Sequence, residues 1–270
     1  MKKSLLYLLL GYFGLQLSGQ NNLKIKNTEL TYYPNGNVLS ETSILDQMLN
    51  GTYTVYFETG QVQEEGHYKQ NLPHGKWIKY YDNGTMKSRT RYKNGLLHGK
   101  YCGLYRNGNK DFEEQYHHGQ KQGTWKYYYE SGSIREIQYY KDHKKEGTWK
   151  YYYENGQLMG EITYIGSKKN GVWKEYYPDG TLKQETVYND NAKEGISREY
   201  NENGILAEET TYSTNVKEGP WVKYHPNGKI AIKGNYTQGN IKTGIWEFYN
   251  EDGILKETIV YDKIIYLPKK

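Results

Sequence analysis

The sequence is poor in the residues that build most compact enzymes. It has one cysteine, six prolines and four phenylalanines in 270 residues, and 36% of the chain is apolar, against roughly 45–50% in a typical globular domain. The lone Cys102 has no disulfide partner within the chain, and we expect it to be a half-buried apolar residue. After the N-terminus there is no apolar run of about 18 residues, which excludes a multispan membrane protein. These deficits also argue against an α/β enzyme packed with Leu, Ile and Val.

Aromatic residues and glycine are abundant instead. Aromatics make up 16% of the chain, with 32 tyrosines, and there are 30 glycines. So many aromatic side chains must bury surface, which excludes a disordered chain. The formal net charge of +5 is mild for this length. Nucleic-acid binding usually needs a concentrated basic face, so we predict no nucleic-acid partner.

The N-terminus has the pattern of a secretory signal peptide at residues 1–19. Lys2 and Lys3 form a basic region, and an apolar region follows from Leu5 to Leu17. An N-terminal membrane anchor is the alternative, although the apolar region is short for a bilayer span. We therefore predict an exported protein, periplasmic, cell-surface or secreted, with a short lead-in at residues 20–27.

Two series of glycines divide the rest of the chain into units of 24 residues. The first series comprises Gly36, Gly60, Gly84, Gly108, Gly132, Gly156, Gly180, Gly204, Gly228 and Gly253, with a last step of 25 residues. The second series runs from Gly51 to Gly244, and each member lies nine residues before a first-series glycine. Such self-similarity at a fixed period predicts a repeat protein.

The aromatic residues follow the same period. All six tryptophans lie two residues after a second-series glycine: Trp77, Trp125, Trp149, Trp173, Trp221 and Trp246. Tyrosines lie eight residues after successive first-series glycines: Tyr68, Tyr92, Tyr116, Tyr140, Tyr164, Tyr188, Tyr212 and Tyr236. The resulting consensus is G-x-W-x-x-Y-Y-x-[ND]-G, followed by a return segment and a variable polar stretch.

Each unit is predicted to be a β-hairpin. Asn-Gly or Asp-Gly at the first-series glycine tolerates positive φ and is a strong hairpin signal. The second glycine is predicted to mark the turn into the next unit. Because single hairpins are marginal in water, the units must stack and bury one another's aromatics. The predicted fold is all-β, an elongated array of about ten stacked antiparallel hairpins over residues 28–262. A C-terminal tail, 263–270, is expected to cap it.

The unit resembles the MORN repeat variant, as in Gly147–Gly156 (GTWKYYYENG) and Gly171–Gly180 (GVWKEYYPDG). Tandem arrays of this variant resemble bacterial YwqK-type antitoxins of toxin–antitoxin systems. The resemblance implies an interaction scaffold. Choline-binding repeats have similar residues, but their period is nearer 20 residues. The fourth unit departs from the pattern at Leu104 and Lys110, and the eighth departs at Ser197 and Asn201.

No catalytic or metal-binding constellation is evident in the sequence. There is no G-x-S-x-G, H-E-x-x-H or P-loop motif. Glutamates that share one phase of the return strand are interpreted as a solvated row that pairs with lysines. His74 and His98 share a phase and are interpreted as turn residues, and His117-His118 as a loop pair. We therefore predict no enzyme activity, no cofactor and no metal.

The predicted function is recognition. The eight tyrosines named above form the candidate binding surface, because tyrosine gives rigid amphipathic contact area at low entropic cost. The alternative is that the tyrosine rows are simply the core of a thin sheet. We expect a protein partner, with an antitoxin-like or immunity-like role. A cell-envelope glycan or cell-wall polymer is the second possible partner, and membrane contact stays open.

Overall fold

The computed structural model describes residues 26–237 and 239–261. The predicted signal peptide (1–19) and C-terminal cap (263–270) lie outside these ranges. Every regular element in the described ranges is a β-strand, and all of them belong to one antiparallel sheet. The prediction of an all-β hairpin array is confirmed. No helix in the part of the chain that the structure describes is long and apolar enough to cross a membrane.

The strands pair in chain order, each with the strand before it and the strand after it. Three positions of the sheet are each filled by a split strand, namely β7 with β8, β10 with β11 and β13 with β14. The bounds are β1 Lys26–Tyr32, β2 Val38–Leu45, β3 Met48–Tyr56, β4 Val62–Lys69, β5 Leu72–Tyr80, β6 Met86–Lys93, β7 Leu96–Leu97, β8 Gly99–Leu104, β9 Lys110–His117, β10 Gln120–Lys121, β11 Gly123–Tyr128, β12 Ile134–Lys141, β13 Lys144–Lys145, β14 Gly147–Tyr152, β15 Leu158–Ile165, β16 Lys168–Tyr176, β17 Leu182–Asn189, β18 Ala192–Tyr200, β19 Leu206–Ser213, β20 Val216–Tyr224, β21 Ile230–Thr237, β22 Ile241–Tyr249 and β23 Leu255–Tyr261.

The turn inside each hairpin is a three-residue loop closed by glycine. In the turn between β14 and β15, Gly156 N donates to Tyr153 O at 2.9 Å, and Tyr153 N donates to Gln157 O at 2.9 Å. Gly156 has φ +86°, the left-handed conformation that such a loop needs at its last residue. Asn155 keeps a negative φ, and its side chain accepts from Gln157 N at 3.0 Å. The Asn-Gly pair therefore forms the predicted turn, with only the glycine at positive φ.

The turn between hairpins lies in the variable polar stretch, so the prediction that the second-series glycine marks it was wrong. Between β17 and β18 the turn is Asp190-Asn191, with φ 49° and 74°, as a two-residue hairpin turn requires. Gly195 lies four residues later, inside β18, with φ +78°. The strand register shifts there, between the pairs Thr186–Ser197 and Tyr188–Lys193. The glycine therefore permits a bulge within the strand.

The core is a single layer of side chains on one side of the sheet, which we call the aromatic face. Trp149 pairs with Ile162 and Gly147 with Tyr164, and residues directly opposite in an antiparallel pair share a face. Ile162 has no exposed surface, and Trp149 is 3% exposed. Alternate residues of each strand, such as Thr148, lie on the opposite side of the sheet, which we call the outer face. Five of the six tryptophans are buried in this layer, and Trp173 is half-buried.

Tyrosine hydroxyls join each hairpin to the next along the turn edge. The Tyr153 hydroxyl donates to Tyr176 O at 2.8 Å, 23 residues further on. The same bond recurs from Tyr33 to Tyr56 O, Tyr81 to Leu104 O, Tyr105 to Tyr128 O, Tyr129 to Tyr152 O and Tyr177 to Tyr200 O. Cohesion along the array is thus a sum of nearest-neighbour contacts.

Candidate functional site

The eight tyrosines predicted as a binding surface all lie on the aromatic face, next to the tryptophans or the lysines that cover them. Around Trp149, the ring centroids of Tyr140 and Tyr164 lie at 5.3 and 4.9 Å. Tyr164 is buried and the other seven predicted tyrosines are half-buried. Burial raises the phenol pKa of Tyr140 and Tyr164. These rings therefore serve as core, and seven of the eight keep part of their surface in contact with solvent.

A row of lysines covers the aromatic face in the C-terminal part of the array. Lys145 Nζ lies 4.4 Å from the ring centroid of Trp149 and 4.9 Å from that of Tyr164. Equivalent lysines lie over aromatic rings 24 or 25 residues apart in six successive units: Lys121, Lys145, Lys169, Lys193, Lys217 and Lys242. Burial lowers the pKa of Lys145, and the charges of Lys169 and Lys121 lower it further.

The lysine row was not predicted from the sequence, although its signal is present there. The six lysines all lie two residues before a second-series glycine. In the first units the same position holds Leu49, Pro73 and Leu97. A lysine ammonium above a partly desolvated indole is stabilised by about 0.5–2 kcal/mol. This position of the aromatic face is therefore cationic in the C-terminal part of the array and apolar in the first units.

The outer face carries the glutamate row, and these carboxylates pair with basic and phenolic groups. Arg198 bridges Glu185 at 3.0 Å and Glu209 at 2.8 Å. The Tyr80 hydroxyl donates to Glu65 at 2.7 Å. Burial is the main cause that raises the pKa of Tyr80 to about 12, and this hydrogen bond is the second. The glutamates thus act as cross-strand acceptors, in agreement with their interpretation as a solvated, paired row.

A second feature of the outer face is an apolar strip near the turns between hairpins. Val172 pairs with Val187, and Ile245 pairs with Val260. Ile245 is 57% exposed and Val260 is 65% exposed. The outer strip consists of Tyr139, Val172, Val187, Ile196, Ile245 and Val260, all of which are exposed. The pair on β16 and β17 lies six strands, about 29 Å, from the pair on β22 and β23, and Pro220 with Asn235 occupies the row between them.

Three histidines meet at the edge of the sheet where the hairpins turn into one another. Ring centroids lie 5.2 Å apart for His98 and His117, 5.0 Å for His98 and His118, and 4.4 Å for His117 and His118. Burial lowers the pKa of His98, and the charges of His118, His117 and Lys93 lower it further. Sequence reasoning separated His98 from the other two, because it paired His98 with His74. His74 instead lies across from His67.

The sequence model of the MORN repeat variant family matches nine segments of the chain. They are residues 27–46, 49–70, 73–94, 121–142, 145–165, 169–190, 193–213, 217–238 and 242–263. Residues 95–120 lie in the gap between the third and fourth segments. This gap holds the fourth unit, where Leu104 and Lys110 break the consensus.

Solved structures resemble the chain only weakly. A mutant Tc holotoxin pore of Photorhabdus luminescens is 13% identical, covers 83% of this chain and 14% of that one, and gives a TM-score of 0.21. The TcdB2-TccC3-TEV crystal structure is 13% identical, covers 88% and 16%, and gives a TM-score of 0.20. The chain thus spans less than a fifth of the length of these proteins.

No curated protein matches the chain. The family match, by contrast, covers most of the sequence, and its segments follow the hairpins of the sheet. The chain belongs to the MORN repeat variant family.

Proposed function

We propose that this repeat scaffold is an exported, non-enzymatic protein that binds another protein through the outer strip. The exposure of this strip is the observation that carries the proposal. Six large apolar side chains are exposed on the face that does not hold the core. Exposed apolar side chains grouped on one face are typical of interaction sites, because leaving them in water is unfavourable.

The repeat shows that the apolar character of the strip is not needed for folding. Thr148 and Thr163 form the pair equivalent to Val172 and Val187, one hairpin earlier. Their hydroxyls lie 3.0 Å apart and form a hydrogen bond. The same backbone therefore accepts a polar pair at this position. This supports a binding role for the valine and isoleucine pairs.

The test compares the full chain with a variant that carries V172T, V187T, I245T and V260T. Each chain is cross-linked in extracts of the native host, and partners are identified by mass spectrometry. We expect the wild type to capture one defined protein. The amount captured by the variant should be at least tenfold lower. The matched control carries T148V with T163V, and it should capture the partner as the wild type does. Equal capture by wild type and variant contradicts the proposal.

Export is supported by the N-terminal pattern alone, from Lys2 and Lys3 through the apolar stretch Leu5–Leu17. Cell fractionation followed by N-terminal sequencing tests it. The expected result is a mature chain that begins near Gln20, outside the inner membrane. A chain that keeps Met1 and stays in the cytoplasm contradicts export without affecting the binding proposal.

The finer proposal is that the bound partner is a toxin and that binding neutralises it. Its support is the resemblance of the array to YwqK-type antitoxins. Co-expression with the gene next to its own is the direct test. We expect growth arrest by the neighbour to be relieved by this chain and not by the four-threonine variant. Relief that is equal with both chains would place neutralisation elsewhere on the surface.

An anionic cell-envelope glycan on the aromatic face is the second proposal, and the lysine row favours it. Six ammonium groups recur at a two-strand spacing above aromatic rings. A polymer with regularly spaced negative groups matches that arrangement electrostatically. We expect K145L with K169L to abolish cell-wall pelleting, since leucine stands at the equivalent Leu49 and Leu97. Unchanged pelleting would exclude the aromatic face as the glycan site.

A further inference from the structure

We propose that His98, His117 and His118 form a binding site for a divalent transition-metal ion, of the class of Zn²⁺, Ni²⁺ or Cu²⁺. Each histidine offers one ring nitrogen, and the three nitrogens lie within 4.8 Å of one another. Imidazole is a preferred ligand of these ions. No other group of three His, Cys, Asp or Glu residues in the described ranges is arranged to hold a metal.

The fold brings the three residues together by a rule that holds along the array. The side chain of the residue before a second-series glycine accepts a hydrogen bond from the backbone N–H of the first residue in the next turn between hairpins. Gln122 accepts from Asp142 N at 2.9 Å, and Glu146 accepts from Gly166 N at 3.0 Å. His98 and His118 occupy these two positions in the fourth unit, where His118 N lies 3.4 Å from His98 Nδ1.

The third ligand comes from the residue just before the turn. His117 is the last residue of β9 and adjoins His118 in the chain. Both of these side chains are exposed, and His98 is half-buried. The half-buried ring is thus held by the sheet, while the two exposed rings are free to rotate toward it. Nitrogens bound to one tetrahedral ion lie about 3.3 Å apart, given metal–nitrogen bonds of about 2.0 Å. Closure therefore requires rotamer adjustment and no movement of the strands.

The hydrogen bond to His98 is the loosest of its kind, which leaves its ring available to a metal. At 3.4 Å it exceeds the 2.9 and 3.0 Å of the equivalent bonds at Gln122 and Glu146. It also exceeds the usual range of about 2.7–3.2 Å. Three imidazoles leave a fourth tetrahedral position for water, as in open zinc sites. Lys93 acts on His98 electrostatically and is expected to limit the affinity.

The histidines are specific to this unit. One hairpin earlier the equivalent positions hold His74, Lys93 and Asn94, and one hairpin later they hold Gln122, Lys141 and Asp142. Only the fourth unit has histidine at all three positions. The neighbouring units therefore show which substitutions the fold accepts: His98→Gln, His117→Lys and His118→Asn.

The experiment is isothermal titration of the full chain with Zn²⁺ and separately with Ni²⁺ at neutral pH. We expect one ion per chain and a loss of at least about tenfold in affinity for each of H98Q, H117K and H118N. NMR signals of the three imidazoles should shift on adding Zn²⁺. His143→Asn is the matched control, because asparagine stands at the equivalent Asn191, and it should bind like the wild type.

Two results would overturn the proposal. One is a wild-type chain that binds neither ion, with its circular dichroism showing an intact sheet. The other is binding that survives H98Q or that falls equally in H143N. Because Gln122 fills the same place in the next unit, H98Q is expected to fold, and its circular dichroism is recorded alongside the titration.

Discussion

The fourth unit, β8 with β9, and the sixth, β14 with β15, have the same backbone built from different side chains. Gly99 pairs with Tyr116 in the fourth unit as Gly147 pairs with Tyr164 in the sixth. The fourth unit has Tyr101 where the sixth has Trp149. The sequence signature of the family is lost in the fourth unit, yet the strand register is kept. Turns and backbone hydrogen bonds therefore maintain the hairpin in a unit whose core side chains differ.

The altered core of the fourth unit is partly compensated by an exchange across the strands. In the sixth unit Tyr151 faces Gly160, whereas in the fourth unit Gly103 faces Phe112. The aromatic ring has moved to the partner strand and the glycine has taken its place. A cavity of about 110 Å³, lined in part by Trp77 and Tyr101, remains beside the unit. The fourth unit thus has a different arrangement of aromatic rings in its core, and it is the unit that carries the three histidines.

The largest expected difference between the two units is the cost of removing the central ring. W149A should lower the free energy of local unfolding by about 3–5 kcal/mol, because Trp149 is 3% exposed and packs between two tyrosines. Y101A should cost about half as much, since Tyr101 is half-buried beside a cavity. Urea unfolding measures both. Equal losses would show that the fourth unit is packed like the others.

The exchange between Gly103 and Phe112 is tested by a double-mutant cycle. A Cβ on Gly103 would overlap the Phe112 ring, so G103A should cost about 1–3 kcal/mol through overpacking. G103Y with F112G should recover most of the stability, because it recreates the arrangement of Tyr151 and Gly160. If the stability losses of G103Y and F112G simply add in the double variant, the exchange is contradicted.

The tyrosine bonds between hairpins should have the same value in both units. Tyr105 donates to Tyr128 O at 2.8 Å and Tyr153 to Tyr176 O at 2.8 Å. Y105F and Y153F should each cost about 1 kcal/mol, the usual loss for one such bond. Thermal unfolding of the two variants makes the comparison. A negligible cost for Y105F alone would mean that the fourth unit is detached from its neighbour.

The smallest expected effect is a pH dependence at Glu113 in the fourth unit. Bonds from Lys110 and Tyr128 hold the pKa of Glu113 below its usual value of 4.5. A lowered folded-state pKa adds stability above the unfolded-state value, and this stability is lost as the pH falls through the folded-state value. Glu113 is 41% exposed, so solvent screening keeps the effect small. The wild type should lose more stability than E113Q between pH 5 and about pH 3.

The hairpin array was predictable because its signals recur at fixed positions. Glycines such as Gly156 and tryptophans such as Trp149 are each required by one local conformation or one core position. The positions of the turns between hairpins were predicted wrongly. Many polar residues adopt the conformation of Asp190-Asn191, so no single residue type marks these turns in the sequence. The contact between the three histidines was missed because residues in the same phase of the repeat were compared. Gly99 pairs with Tyr116, and this register places His98 beside His117 on the next strand.

Amide hydrogen exchange across Gly99–His117 tests the central claim most directly, namely that one continuous sheet runs through the fourth unit. Its strands pair with β6 on one side and with β11 on the other. The account predicts protection of β8 and β9 within about tenfold of that in β14 and β15. Exchange at the rate of an unfolded chain in this unit, with both flanks protected, would divide the sheet in two and contradict the account.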